Sequence, residues 1–205
     1  MPLALLLSLL LAPADRPPLL ISAGDNPAEW QGGRLDAELK HSGAGSIRWE
    51  HATSERLQMV GVPTDWSQRG ALRFRVHNAV ATGSSFMVII ASENPATEGG
   101  DYWMAPVRLD FTGWKTITLP LRTLSAARTP RGWDQVNSLL LTASGWDQKV
   151  DPRAVVHLDQ VELVDWVGPL LTDEELLTAF DLDLPALAPV KARLAAGDLP
   201  GARQA

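Results

Sequence analysis

Residues 71–77, Ala-Leu-Arg-Phe-Arg-Val-His, decide the fold of this chain. Leu72, Phe74 and Val76 alternate with polar side chains, so that every second residue is apolar. Successive side chains of a strand point in opposite directions, and a period of two therefore predicts a β-strand with one buried face and one wet face. We expect Arg73 and Arg75 on the wet face.

Other segments carry the same signal at regular spacing. Ser46–His51 alternates between polar and apolar residues, and the continuous apolar run Phe86–Ala91 is typical of a central strand. Further strands are predicted for Tyr102–Leu109, Lys115–Leu119, Val136–Thr142 and Val155–Val164. Turn-forming residues separate these strands and no long amphipathic helix interrupts them, which predicts an all-β fold, an antiparallel β-sandwich.

Composition limits the partners of the protein. A net charge of −6 over 205 residues argues against nucleic acid, because nucleic-acid binders normally present a basic surface. There is no cysteine, which excludes disulfides and thiolate metal sites. Eight tryptophans accompany one tyrosine and four phenylalanines. The flat face of tryptophan suits stacking on sugar rings, and the alternative for any one tryptophan is burial in the core.

The N-terminus predicts export. Residues 1–14 combine the apolar run Leu3–Leu11 with Ala12-Pro13-Ala14, the pattern of a signal peptide before a cleavage site. We therefore expect a secreted or periplasmic protein with no membrane association after removal of this segment. A buried N-terminal helix is the alternative reading of the apolar run. Residues 15–18 contain two prolines and are predicted to be a linker.

The sandwich is predicted to span residues 19–166, and the composition changes after it. Thr172 and Glu175 form a capping box, which predicts a helix start, and Pro189–Ala196 predicts a second short helix. Residues 167–205 are therefore expected to be a short C-terminal helical extension. Such helices need a partner on which to bury their apolar sides.

The order of several motifs resembles a known family. Gly113–Leu121 reads Gly-Trp-Lys-Thr-Ile-Thr-Leu-Pro-Leu, and it is followed by Arg128–Trp133, Ala143–Trp146 and Val156–Leu163. This series resembles the N-terminal carbohydrate-binding-like β-sandwich, a galactose-binding-like jelly roll, of heparinase II/III-type polysaccharide lyases. The tail from Leu171 to Leu199 is similar to the segment that leads into the α/α toroid of those enzymes.

The resemblance implies a polysaccharide as partner, and in particular a uronate-containing one such as alginate or a glycosaminoglycan. It also implies a lyase domain that is missing from this chain, since the catalytic Tyr, His and Asn or Arg of the family come from the toroid and a further domain. We therefore assign no catalytic residue here. Jelly rolls of this kind often hold one structural calcium ion between the N-terminal segment and the last strand.

Two groups of side chains are candidates for sugar binding. Tyr102, Trp133 and Trp146 lie near predicted strand ends or loops, where binding residues concentrate, and Trp133 is the expected exposed platform. Arg73, Arg75 and Arg108 lie out of phase with their apolar neighbours and would form one basic face if their strands shared a sheet. Arginine pairs well with carboxylates and sulfates; the alternative is an ordinary solvated face of ion pairs.

A calcium site is expected at Asp25 and Asp159. Asp25 lies in a turn-rich stretch, and Asp159 interrupts the apolar run of the last strand, where a buried carboxylate needs a partner. Carbonyl groups of residues 42–45 would complete the shell. The alternative is that Asp159 hydrogen-bonds main-chain groups.

Three functional hypotheses follow. The leading one is a non-catalytic module that binds polysaccharide. The second is a structural sandwich that braces a partner catalytic domain without touching sugar. The third is a small glycan-degrading enzyme, for which no motif is present in the sequence.

Overall fold

The computed structural model describes residues 16–165. The predicted signal peptide, residues 1–14, and the predicted helical extension, residues 167–205, lie outside the described residues. Within residues 16–165, no helix has the length and the apolar character needed to cross a lipid bilayer.

The described residues form twelve β-strands and two short 3₁₀ turns, at Pro27–Glu29 and Leu121–Thr123. The strands are β1 (Leu19–Ser22), β2 (Trp30–Gln31), β3 (Arg34–Asp36), β4 (Ser46–Glu50), β5 (Arg56–Met59), β6 (Ala71–Asn78), β7 (Ser85–Ala91), β8 (Tyr102–Arg108), β9 (Gly113–Pro120), β10 (Ser125–Ala127), β11 (Ser138–Thr142) and β12 (Val155–Val164).

Two six-stranded sheets pack face to face. Sheet A has the order β3-β4-β12-β6-β9, and β1 pairs with the C-terminal half of β12. Sheet B has the order β10-β8-β7-β11-β5-β2. Every pairing between the strands is antiparallel. The structure thus confirms the predicted all-β antiparallel sandwich.

The core lies between the sheets, where the sequence pattern places it. Leu72 and Val76 of β6 are fully buried, and Phe74 between them is 2% exposed. They face the apolar residues Val88 and Leu139 of sheet B within one continuous cluster. Burying such a side chain contributes about 1.5–3 kcal/mol each, so the alternating strands provide the main stabilisation.

The strand boundaries differ from the predicted ones where turns are tight. β9 extends to Gly113 and Pro120, and β11 begins at Ser138 and not at Val136. The short strands β2, β3, β5 and β10 hold two to four residues each and were not predicted. A period of two cannot be recognised over so few residues.

The last strand contains a β-bulge that sets the geometry of sheet A. Asp159 pairs with Arg75, and Glu162 pairs with Arg73, so that β12 contains one more residue than β6 between these two pairs. Gln160 takes up the difference with a positive φ of 51°. Because of the bulge, both Asp159 and Glu162 point to the outer side of sheet A.

Candidate functional site

The outer side of sheet B carries an apolar strip. Met104, Ile89 and Leu140 are directly paired across β8, β7 and β11, with Gln58 of β5 next in the same row. Their sequence neighbours Trp103, Ile90 and Leu139 belong to the core, so these side chains point away from it. Ile89 is nevertheless only 7% exposed. Met104 and Leu140, which flank Ile89, are half-buried, so the strip forms part of the surface of sheet B.

An aromatic pair stands at one end of this strip. The rings of Tyr102 and Trp146 meet edge to face, with 6.0 Å between the ring centroids and 86° between the planes. Trp146 is 41% exposed, whereas Tyr102 is half-buried. Such a pair offers one flat apolar indole face to a ligand and a phenol hydroxyl at the edge.

The turn that carries Trp146 is backbone-strained. Gly145–Gln148 is a tight hairpin turn closed by the Gln148 N–H donating to the Gly145 carbonyl at 2.9 Å. Its two central residues, Trp146 and Asp147, have φ of 51° and 63°. Non-glycine residues adopt this left-handed region only at a cost, which tertiary context must offset. This conformation of the turn places the indole at the surface.

The same turn crosses the outer side of sheet B. Thr142 is the last residue of β11, and it lies in one cross-strand row with Met87 of β7 and Pro106 of β8. Tyr102 is the first residue of β8, four residues before Pro106. Because Trp146 contacts the Tyr102 ring, the segment after Thr142 runs back over this face. A hydrogen bond of 2.7 Å from the Ser144 hydroxyl to the Glu55 carboxylate secures its start.

Polar side chains border the strip. Gln58 and Arg56 of β5 are exposed at one side, and Arg108 of β8 at another. Arg108 lies 3.6 Å from the Asp110 carboxylate, and both side chains are more than half exposed. Amide and guanidinium groups beside an apolar platform are the combination that binds sugar hydroxyls, because a sugar ring has apolar faces and a polar edge.

The structure places Trp133 elsewhere. Its indole stacks on that of Trp103, with ring centroids 3.7 Å apart and 17° between the planes, and both pack against the core. Trp133 is half-buried and does not share a face with Trp146. Tyr102 and Trp103, as neighbours in a strand, point to opposite faces. Of the three predicted aromatic residues, the structure brings together Tyr102 and Trp146.

The predicted common arginine face is wrong for Arg108. Arg73 and Arg75 belong to β6 in sheet A, whereas Arg108 belongs to β8 in sheet B, and outward-facing residues of the two sheets lie on opposite sides of the sandwich. Arg73 donates to the Glu162 carboxylate at 2.7 Å. The sequence pattern identified the wet face of each strand but could not assign the strands to sheets.

The predicted calcium segments meet in space. A Cβ on Gly24 would lie 3.0 Å from the Asp159 Cα, and one on Gly43 would lie 3.3 Å from the Asp25 Oδ2. The Asp159 carboxylate, however, accepts the N–H groups of His41 and Ser42 at 2.8 and 3.0 Å, and the Ser42 hydroxyl at 3.1 Å.

These donors take the positions that a cation would need, so the residues around Asp159 do not fit a calcium shell. Within residues 16–165, no cluster of three or more His, Asp or Glu side chains suits a metal ion. The structure shows the main-chain alternative for Asp159, and calcium binding itself stays a prediction.

A cavity of about 360 Å³ opens at the edge of sheet A. Arg34, Arg48 and Glu50 line it together with glycine and hydroxyl residues. Both arginines donate to the Glu50 carboxylate, at 2.6 and 2.8 Å, and these bonds lower the pKa of that carboxyl. The charges of this cavity are paired, and no aromatic ring lines it. It is therefore a weaker candidate for sugar binding than the outer side of sheet B around Trp146 and Tyr102, here called the Trp146 face.

Sequence reasoning missed the apolar strip itself. The signal was present in β7, where all of Phe86–Ala91 is apolar. The run correctly indicated a central strand. It also contained the apolar residues Met87 and Ile89, whose side chains point to the outer side of sheet B and not into the core. The cross-strand register that lines Ile89 up with Met104 and Leu140 required the structure.

Comparison with known proteins identifies a family and a shared fold. A family model described as "Carbohydrate binding domain (family 11)" matches residues 28–163. No curated protein matches the sequence significantly.

Solved structures share the fold. The family 11 carbohydrate-binding module from Clostridium thermocellum, in complex with a β-1,3-1,4-mixed-linked tetrasaccharide, is 13% identical, with a TM-score of 0.53 over 75% of this chain and 98% of that one. The family 11 module of the cellulosomal cellulase Lic26A-Cel5E of the same organism is 12% identical, with a TM-score of 0.52 over 78% and 99%. A family 30 module from a cellulosomal cellulase of C. thermocellum is 15% identical, with a TM-score of 0.52 over 74% and 94%.

Proposed function

Because the chain belongs to the family 11 carbohydrate-binding domains, we propose that it binds a polysaccharide chain on the outer side of sheet B, with the indole of Trp146 as the stacking platform. The observation that carries the proposal is the exposed Trp146 ring, held beside Tyr102 by a turn with two left-handed residues.

The surroundings of Trp146 support this role. A sugar ring stacked on the indole would extend its chain over Met104, Ile89 and Leu140, which present apolar groups in one row across the sheet. Gln58 ends that row with an exposed amide that can both donate to and accept from sugar hydroxyls. A platform with a polar border binds a chain along its length without needing a deep pocket.

A neutral β-linked glucan is the ligand class we favour for this face. One structural relative was solved with a β-1,3-1,4-mixed-linked tetrasaccharide, and its fold covers most of this chain. On the face itself, the Arg108 guanidinium already lies beside the Asp110 carboxylate, so the charges at this border are partly balanced. Stacking and neutral hydrogen bonds would then dominate the affinity.

The test is calorimetric titration with the mixed-linked tetrasaccharide. We expect Trp146→Ala to weaken binding at least tenfold, a loss of about 1.4 kcal/mol or more, as for a central aromatic contact. Leu35→Ala is the matched control, since Leu35 is an exposed apolar residue of β3 in sheet A. An unchanged affinity in Trp146→Ala, or an equal loss in both variants, would refute the proposal.

We also propose the finer context that the sequence resemblance implies. The motifs Gly113–Leu121 and Val156–Leu163, with the tail Leu171–Leu199, favour a module joined to a heparinase II/III-type catalytic domain. Residues 1–14 favour export to the periplasm or the medium. Reading the genomic sequence downstream of the codon for Ala205 tests the first point, because an in-frame α/α toroid is expected there. N-terminal sequencing of the mature protein tests the second.

A further inference from the structure

Among residues 16–165, one arginine on the outer side of sheet A has no counter-ion. Arg34 and Arg48 donate to Glu50, and Arg73 donates to Glu162. Arg75 lies two residues from Arg73 on the same face of β6, yet no carboxylate of residues 16–165 lies within salt-bridge distance of it.

The nearest acidic residue along the sheet is already engaged. Asp159 is the cross-strand partner of Arg75, but its two oxygens accept hydrogen bonds from His41 and Ser42. The Nε of Arg75 is buried and has no hydrogen-bond partner among the described residues. A buried donor without an acceptor is costly, so this nitrogen needs a partner that the described residues do not supply.

Rings surround this guanidinium on the same face. His77 follows two residues after Arg75, and Trp114 pairs with His77 across β9, with ring centroids 5.4 Å apart. The exposed His41 reaches over from the loop after β3, its ring 5.5 Å from that of Trp114. The Nδ1 of His77 is a second buried nitrogen without a described partner.

We propose that the outer side of sheet A holds a second carbohydrate subsite, in which Arg75 pairs with the carboxylate or sulfate of an anionic sugar and Trp114 contacts its ring. Guanidinium and carboxylate form two parallel charge-assisted hydrogen bonds, which suits a group fixed on a sugar ring. The exposed His41 lies beside Trp114, and its ring nitrogens can engage neighbouring hydroxyls.

This subsite is independent of the Trp146 face. Arg75 lies on the outer side of sheet A, whereas Trp146 contacts Tyr102 on the outer side of sheet B, so that a neutral glucan and an anionic oligosaccharide would occupy different sides of the sandwich. The failure of one proposal therefore leaves the other intact.

Titration of the whole chain with tetramannuronate, which carries carboxylates, and with a heparin-derived tetrasaccharide, which carries sulfates, tests the subsite and identifies the anionic group. We expect Arg75→Gln to weaken binding of the preferred acid about tenfold and to leave the affinity for the mixed-linked tetrasaccharide unchanged. Arg122→Gln, at an exposed arginine of the 3₁₀ turn Leu121–Thr123, is the matched control and should bind the acid like the wild type.

Folding is checked on the same samples. Because Arg75 forms no ion pair with the other residues of 16–165, the melting temperature of Arg75→Gln is expected to equal that of the wild type. Full affinity in Arg75→Gln, an equal loss in Arg75→Gln and Arg122→Gln, or no binding of either acidic tetrasaccharide by the wild type would each overturn the proposal.

Discussion

The indole of Trp133 lies flat against that of Trp103, with 3.7 Å between the ring centroids. Trp103 comes from the inner side of β8, and Trp133 comes from the loop that precedes β11. The main-chain carbonyl of Trp133 also accepts the N–H of Trp66, whose own side chain is fully buried. The stacked pair of Trp103 and Trp133 anchors the loop before β11 to the edge of the core.

We expect Trp133→Ala to lower the free energy of unfolding by about 2–4 kcal/mol, because it leaves a cavity beside Trp103 and the core. Urea denaturation followed by circular dichroism measures this loss. Calorimetry with the mixed-linked tetrasaccharide should show an affinity close to that of the wild type. A folded Trp133→Ala variant that no longer binds the glucan would restore Trp133 as the platform that the sequence suggested.

The strained turn offers a stabilising substitution. Asp147 has a φ of 63°, a region that glycine enters without a steric penalty, and glycine is the favoured residue at this position of such hairpin turns. Asp147→Gly is expected to raise the unfolding free energy by roughly 0.5–1 kcal/mol and to preserve glucan binding, because relief of the left-handed strain outweighs the greater freedom of glycine in the unfolded chain. Differential scanning calorimetry of Asp147→Gly and the wild type measures this change in stability.

Asp147→Pro is the opposite case, since proline fixes φ near −65°. It should disturb the turn, displace Trp146 and weaken glucan binding while the sandwich stays folded. A lower melting temperature for Asp147→Gly than for the wild type would show that the aspartate side chain, and not the backbone, determines this turn.

The loop between β3 and β4 depends on Asp159. Replacing it by alanine would leave the N–H groups of His41 and Ser42 without their acceptor. We expect Asp159→Ala to cost about 2–3 kcal/mol of stability, the range for losing charged hydrogen bonds at a buried site. Asp25→Ala, at a half-buried residue, serves as the control and should cost less.

Calcium is tested on the same proteins. Because N–H and O–H donors surround the Asp159 carboxylate, the melting temperature of the wild type should be the same in millimolar calcium and in excess chelator. A rise of several degrees with calcium, lost in Asp159→Ala, would reinstate the calcium site that the resemblance implied.

Stability should fall in mild acid because of a buried histidine. His51 is 2% exposed and packs on Trp49, with ring centroids 4.2 Å apart. Burial lowers its pKa from 6.5 to about 4, while the negative Asp151 opposes that shift. The unfolded chain therefore binds one more proton than the native state between pH 6.5 and about 4, and the free energy of unfolding decreases as the pH is lowered through this window.

The expected decrease is up to about 3 kcal/mol, the free energy that corresponds to the shift. Urea denaturation at pH 7 and at pH 4.5 measures it, and His51→Gln should lose less stability between these values than the wild type. His41→Gln, at an exposed position, should behave like the wild type. If His51→Gln shows the full decrease, other groups cause the acid sensitivity.

A second acidic transition is expected below that window. The main-chain N–H of Leu39 and the ring of His157 hold the pKa of Asp36 at about 2, and the guanidinium of Arg153 does the same for Asp151. Native carboxylates of this kind contribute stability above pH 4 that is lost as the pH falls towards 2.

The sequence by itself determined the strand content and the inner side of each long strand. Because Leu72, Phe74 and Val76 alternate with polar residues, only one orientation of β6 buries all three. A register shift by one residue would put Arg73 and Arg75 into the core. The need of Asp159 for a partner also followed from the sequence, since a carboxylate within an apolar run must be hydrogen-bonded or paired.

Only the tertiary structure decided which strands share a sheet, and with that the site. Arg75 and Arg108 both alternate with apolar residues, yet they lie on opposite sides of the sandwich because β6 and β8 pair with different partners. Trp133 and Trp146 both follow turn residues, but one stacks on the core and the other stands exposed beside Tyr102. Local periodicity fixes the direction of a side chain relative to its own strand, whereas its neighbours come from contacts between residues far apart in the chain.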